Sequence, residues 1–420
     1  MHMETTLSDI ADGCKYGFVD GPFGSNLPSS CYKHKGIPVI RGCNLSIGKF
    51  RYIDQGYCFV DNIFLDKLSR STARKFDIIF TKKGTIGQIG IIPKNALYNL
   101  YLLSSNQMRL RVDIGKADPY FVYYYLTQKN IIEKIIRDSE STGVPKTNLA
   151  YFRSFPIKLP ALSEQQSIAH ILGTLDDKIE LNRRQNATLE AMAQAIFKEW
   201  FVDFGPVRAK MKGRQPEGMS REIADLFPDR LDSEGKPEGW EWKTLDSLFL
   251  KIQSGKRPVS KVDIQSKKDI FPIIGASSIM GYTNNFLFEH QVIVIGRVGT
   301  LGIVQCFNER IWPSDNTLVI ESKFYYYSYM LIKHIDFNLI NKGSTQPLIT
   351  QKDIKEYKII YSNEYITNKF ERIVENFFTK IIFNKKEIAI LISLRDTLLP
   401  KLISGELRVP DAEKMVADIV

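Results

Sequence analysis

The chain has 420 residues, of which 57 are Lys or Arg and 47 are Asp or Glu, a formal net charge of +10, with 44% apolar and 25% charged side chains. At about one to two hundred residues per domain this length implies two to four domains, and the apolar content excludes a largely disordered chain. Apolar runs such as Ile388–Ile392 fall far short of the ~18 residues of a membrane span, no charged-then-apolar leader is visible, and five cysteines without a Cys-x-x-Cys pair fit a reducing cytoplasm rather than zinc or disulfides.

Residues 1–160 carry 22 basic and 13 acidic side chains. Such an excess is the electrostatic footprint of a polyanion partner, nucleic acid being the common one. Within this block, Lys82-Lys83-Gly84-Thr85-Ile86-Gly87 lies between the β-rich runs Phe76–Phe80 and Ile89–Ile92, which predicts a tight strand turn. Asp118-Pro119-Tyr120-Phe121 is a near miss to the Asp/Asn-Pro-Pro-Tyr/Phe of adenine methyltransferases, but the second proline is missing. Asp as a helix N-cap, with Pro at the first helical position, explains it better.

Residues 161–202 read as one long helix. Ser163 followed by Gln166 forms a capping-box start. Ile168, Leu172, Leu175, Ile179, Asn182, Asn186, Leu189, Ala193, Ile196 and Trp200 then recur at alternating steps of four and three, the signature of a coiled-coil seam. Residues 203–239 form a connector rich in Gly, Pro and charge, predicted to be a loop-rich return segment.

Residues 240–361, with 15 basic and 11 acidic side chains, repeat the first block. Arg297-Val298-Gly299-Thr300-Leu301-Gly302 matches Lys82–Gly87 at an offset of 215, and Asp315-Asn316-Thr317 matches Ser105-Asn106-Gln107 at 210. Pro347 with Ser344 matches Pro145 with Thr142 at 202, so the first block holds about 13 extra residues in its second half. The offset then stays at 202 through residues 362–407, a second helix whose seam runs Phe370, Val374, Phe377, Ile381, Asn384, Ile388, Leu391, Arg395, Leu398 and Leu402. A constant offset means a length-constrained element. Asn182 and Asn384 hold the same seam position, where a polar residue fixes register; antiparallel pairing about a pseudo-two-fold axis would bring them together near the crossing. Residues 408–420 are a C-terminal tail.

The fold class expected is therefore mixed α/β (α+β), with two pseudo-repeated globular domains separated by two long helices in an antiparallel coiled coil. Catalytic signatures are lacking. The four Gly-Lys pairs are followed by Phe50, Ala117, Arg257 and Pro237, so no phosphate-cradling Gly-Lys-Ser/Thr loop exists. Pro228-Asp229 with Glu234-x-Lys236 has a nuclease-like look, but it spans too few residues and lies in the connector. The five histidines show no metal-ligand spacing. Recognition without chemistry is the reading that remains.

Several strings carry a family resemblance. Leu159-Pro160-Ala161-Leu162-Ser163-Glu164-Gln165-Gln166, Ile179-Glu180-Leu181-Asn182-Arg183-Arg184, Phe201-Val202-Asp203-Phe204-Gly205-Pro206-Val207, Pro237-Glu238-Gly239-Trp240 and Leu398-Leu399-Pro400-Lys401-Leu402-Ile403-Ser404-Gly405-Glu406-Leu407 resemble, in order, those of specificity subunits of type I restriction-modification systems. Ser362-Asn363-Glu364-Tyr365 departs from the usual Pro-x-x-x-Glu-Gln-Gln opening of the second helix. The resemblance implies two target-recognition domains, each reading half of a bipartite double-stranded DNA site. It also implies two methyltransferase subunits docked on the helical regions and two ATP-driven restriction subunits. S-adenosylmethionine, ATP and Mg are then expected on those partners, with no cofactor, metal or catalytic residue in this chain, and the setting is cytoplasmic.

Sequence reading needs donors and acceptors at base edges, whereas Lys and Arg on phosphates only position a domain. The base-reading candidates are Lys33, His34, Lys35, Arg41, Asn44, Ser105, Asn106 and Gln107 in the first block. In the second they are Lys256, Arg257, Lys267, Lys268, Ser314, Asn316, Thr345 and Gln346. Lys82, Lys83 and Arg297, beside the repeated turns, are phosphate candidates. Two other readings stay open: a fused or stand-alone methyltransferase or nuclease with an unrecognised active site, and a coiled-coil scaffold whose basic blocks bind protein.

Overall fold

The computed structural model describes residues 3–14, 16–139, 144–258, 270–298, 302–339 and 348–417. They form two compact units, one from Met1–Arg183 with Lys385–Val420 and the other from Arg184–Asn384.

In the first unit the strands Phe18–Asp20, Gln107–Leu110, Ile78–Thr81 and Ile89–Ile91 form an antiparallel sheet in that order. All eleven residues of the last three strands are buried, so this sheet is covered on both faces and its strands read as continuous runs rather than alternations. Helix Pro119–Leu126 packs into the same core through Phe121 and Val122. Asp118 caps it, accepting the Phe121 amide at 2.9 Å, as the Asp-Pro pair predicts. A second sheet, Cys58–Val60, Ile37–Ile40, Tyr101–Leu103 and Thr72–Ala73, contains one parallel pairing, between Ile37–Ile40 and Tyr101–Leu103. The ribbon Met3–Thr6 with Pro156–Leu159 leads into the first long helix.

The second unit repeats this plan. Phe249–Ser254, Thr317–Ser322, Val292–Gly296 and Val304–Phe307 form the antiparallel sheet in the same order. Phe271–Ile274 again pairs in parallel, here with Trp312–Pro313, and Glu241–Thr244 with Lys358–Tyr361 makes the ribbon. The repeat extends to single hydrogen bonds. Lys82 N donates to Asn106 O at 2.8 Å as Arg297 N does to Asn316 O at 3.0 Å, and Thr147 N donates to Lys82 O at 2.9 Å as Ile349 N does to Arg297 O at 3.0 Å. These pairs stand at the offsets of 215, 210 and 202 found in the sequence.

The two long helices, Leu162–Phe201 and Glu364–Ser404, have 40 and 41 residues and pack antiparallel. In the first unit Ile168, Leu172, Leu175 and Ile179 share a core with Leu391, Leu398 and Leu402. In the second, Ala193, Phe197 and Trp200 share one with Phe370, Val374 and Ile381. The seam departs from strict spacing at Ile196 and Phe377, which are half-buried, while Phe197 and Phe378 fill it. Ser163 falls inside the first turn instead of capping it, because the helix already begins at Leu162. Asn363 opens the second helix by accepting the Ile366 amide at 3.0 Å.

The seam asparagines do not pair with one another. Asn182 Nδ2 donates to Glu387 Oε2 at 2.8 Å, and Asn384 Nδ2 donates to Asn186 Oδ1 at 2.9 Å. Each seam amide finds its acceptor within its own unit, and Asn384 Oδ1 is buried without a partner.

The connector is more ordered than a loop-rich return. It contains helices Gly205–Met211 and Arg221–Ala224, and Phe204, Phe227 and Trp240 bury against Trp200 and Phe201. The tail forms helix Val409–Ala417, whose Ala412 and Val416 join the first core. Among the described residues no helix is long and apolar enough to cross a membrane.

Candidate nucleic-acid interface

In the first unit the candidate residues converge on the turn Ser104–Gln107. Backbone bonds hold it from three directions: Ser104 N to Ile40 O at 2.9 Å, Gly21 N to Gln107 O at 2.9 Å, and Lys82 N to Asn106 O. Gly21 is required because a Cβ there would lie 2.0 Å from Ser104 O. Beside this turn opens a cleft of about 450 Å³ that gathers Arg41, Lys83, Ser105, Asn106 and Gln107. Tyr32, Cys43, Thr81, Thr85 and Gln88, which sequence reasoning missed, complete it with Gly42 and Ser104, and among the described residues no carboxylate or imidazole lines it.

Among the described residues, Arg41 and Lys83 are the two cations lining the cleft. The Arg41 Cζ lies 5.9 Å from the centre of the Tyr32 ring, at the outer range of a cation–π contact, and Nη2 is 3.7 Å from Cys43 Sγ. Its Nε is buried without a partner. Burial pushes the Tyr32 phenol up, so it stays a neutral donor and ring face. Gln88 is committed, accepting from Thr81 Oγ1 at 3.0 Å and donating to Leu45 O at 3.2 Å. Asn106 is exposed, and Gln107 accepts from Ser104 Oγ.

Asn44 is placed otherwise than a base reader would be. It is fully buried; its side chain accepts the Arg41 amide at 3.0 Å and donates to Ile53 O and Gln55 O at 3.0 and 2.9 Å. All its hydrogen-bonding capacity shapes the loop that presents Arg41. Lys82 Nζ pairs with Asp20 at 3.1 Å, while Lys83 is exposed at the cleft. Lys33, His34 and Lys35 are exposed on the stretch following Tyr32, with Lys33 paired to Asp61 at 2.6 Å.

The second unit builds the same turn at Ser314–Thr317. Ser314 N donates to Ile274 O at 2.9 Å and Gly255 N to Thr317 O at 3.0 Å, and a Cβ on Gly255 would lie 2.1 Å from Ser314 O. Lys256 and Arg257 follow this glycine and are exposed, as is Asn316. Arg297 Nη1 donates to Ser254 Oγ at 3.3 Å, in the position where Lys82 meets Asp20. Ser314 is 1% exposed with its hydroxyl buried, so it faces the interior. Lys267, Lys268, Thr345 and Gln346 lie outside the described residues.

Matched bonds set the correspondence between the surroundings of the two turns. Ile40 matches Ile274, so Arg41 corresponds to Gly275; Thr81 N to Gln88 O matches Gly296 N to Ile303 O, so Gln88 corresponds to Ile303. One scaffold therefore carries different linings. Each copy of the duplicated α/β domain thus carries a basic, donor-rich loop cluster, and the two copies are joined by a pair of antiparallel helices.

The profile of the type I restriction modification DNA specificity domain matches residues 62–191 and 237–392, and the chain belongs to that family. The type I restriction enzyme MjaIX specificity subunit of Methanocaldococcus jannaschii is 28% identical over 418 residues, covering 92% of this chain and 91% of the relative. The HindI specificity subunit of Haemophilus influenzae is 26% identical over 427 residues, covering 84% and 91%. The crystal structure of a type I restriction-modification S subunit from M. genitalium shares the fold, with a TM-score of 0.55, 19% identity and 96% of each chain covered.

Proposed function

We propose that this chain supplies sequence recognition and no chemistry to a type I restriction-modification complex in the cytoplasm. Each unit reads one half of a bipartite double-stranded target. Two methyltransferase subunits carrying S-adenosylmethionine dock on the helical regions, and two ATP- and Mg-dependent restriction subunits complete the assembly. The observation that carries this reading is the duplicated turn: Asn106 and Asn316 stand exposed on one backbone scaffold in both units, beside cations, while the surrounding linings differ. A duplicated scaffold with divergent linings suits two half-sites of different sequence.

The test exchanges residues 1–160 for those of a relative with a different target, in the complete complex, and maps methylated adenines in host DNA. The expected map has one half-site changed and the other intact. A map identical to that of the parent refutes the assignment, and methyl transfer by the purified chain alone would install an enzyme in its place.

A further inference from the structure

The two units offer an internal control for telling positioning contacts from reading contacts. A phosphate contact carries no sequence information and is useful in both units, so it belongs at repeated positions. A base contact belongs where the units differ. Lys82 and Arg297 fulfil the first condition: both follow the same strand, both donate a backbone N–H to the exposed asparagine's carbonyl, and both side chains reach the residue preceding the required glycine. Arg41 fulfils the second. Its counterpart is Gly275, so the scaffold does not need a cation there in order to fold.

We infer that Arg41 reads a guanine in the half-site bound by the first unit, an assignment that rests on the function proposed above. Among the described residues no carboxylate lines the cleft at which the guanidinium lies, and none is paired with it. The Tyr32 ring and the loop built on Asn44 hold it, so little side-chain freedom is lost on binding. The rest of the cleft offers further donors, Lys83 Nζ and the amides of Asn106 and Gln107. Guanine presents two adjacent acceptors, N7 and O6, on its major-groove edge, and a fork of two N–H groups matches them. Adenine and cytosine each present a donor at that edge, which would face a cation here.

The experiment co-expresses the full chain with its methyltransferase subunits and maps methylated adenines for the parent, Arg41→Ala and Arg41→Gln. The parent motif is expected to contain a guanine in the half assigned to residues 1–160. In Arg41→Ala that position becomes degenerate, discrimination falling on the order of tenfold to a hundredfold, while the other half stays sharp. Arg41→Gln shifts the same position towards adenine, whose N6 and N7 suit an amide. An Arg41→Ala motif as sharp as the parent's overturns the assignment. So does a uniform loss of methylation with the motif unchanged, the mark of a phosphate contact. Thermal unfolding separates a damaged fold: if Arg41→Ala melts well below the parent, Arg41→Gln decides alone. A parent map with no bipartite motif overturns the proposed function itself, and this assignment with it.

Discussion

Gln165 and Glu371 each reach from a long helix to the start of a short one. Gln165 Oε1 accepts the Asp118 amide at 3.0 Å, and the Glu371 carboxylate accepts the amides of Tyr326 and Tyr327 at 2.8 and 2.9 Å. Both satisfy donors that a helix N-terminus leaves unpaired, but only one can titrate. Burial, with Glu375 acting in the same direction, pushes the Glu371 carboxyl up to about 6 against the two amide bonds, from an ordinary value of 4.5. Its folded value lies above its unfolded one, so its contribution to stability is complete below about pH 4.5 and is lost as pH rises through about 6. Glu371→Gln, which removes the titration but can accept only one of the two amides, is therefore expected to lose less melting temperature than the parent between pH 4.5 and pH 7. Thermal unfolding of both chains across that range checks this, and parallel curves would refute it. At this scale the sequence was only partly legible. Arg41 and Lys83 adjoin glycines and Asn106 stands in a string repeated in the second block, so these three could be singled out. Tyr32 and Gln88 reach the same cleft only through strand pairings, and no local signal marks them. Asn44 looks like a surface polar residue in the sequence, yet it is buried by bonds to Ile53 and Gln55 that no spacing rule foresees.

The long helices were the most legible elements, because a four-three periodicity sustained over ten positions has few other causes. What the period misses is local. Phe197 takes the seam in place of Ile196, with its ring against Tyr327 and Phe370, and Phe378 takes it in place of Phe377, with its ring against Tyr326 and Tyr329. The capping-box pattern places the start of the first helix one residue late: the helix begins at Leu162, so Ser163 lies inside its first turn and has no role as a cap. If the helices set the spacing of the target, removing one heptad from each, about 10 Å of helix, should change the number of unread base pairs between the half-sites and neither half-site sequence. Methylome mapping reads both quantities. An unchanged gap in a folded variant would separate helix length from target spacing.

Across the molecule, charge counts less than the sequence suggests. The first block has a basic excess of nine, yet Arg111 is spent on buried Asp77 at 2.8 Å, with Arg109 beside it at 3.8 Å, and Arg51 is spent on Asp177. Those cations knit the fold and are not available to phosphates. Lys82 is itself paired, with Asp20 at 3.1 Å, but its position is repeated by Arg297, which among the described residues meets only the neutral Ser254 hydroxyl there, and this repetition makes the pair the better place to look. Replacing each with Gln should weaken DNA binding evenly across sequences and lower the slope of log affinity against log salt by about 1 per residue, leaving the methylation motif unchanged. A changed motif would make them readers instead.

The first unit is assembled from both ends of the chain, whereas the second is one continuous stretch. Synthesis on the ribosome runs in one direction. All of the second unit has emerged while Ile168, Leu172 and Leu175 still await Leu391, Leu398 and Leu402, with which they share a core. The part encoded first is thus the last to be completed. A premature stop near residue 384 spares the later-encoded unit and strips the core of the earlier one, so in this chain the damage from a truncation falls on the unit that begins at the opposite terminus.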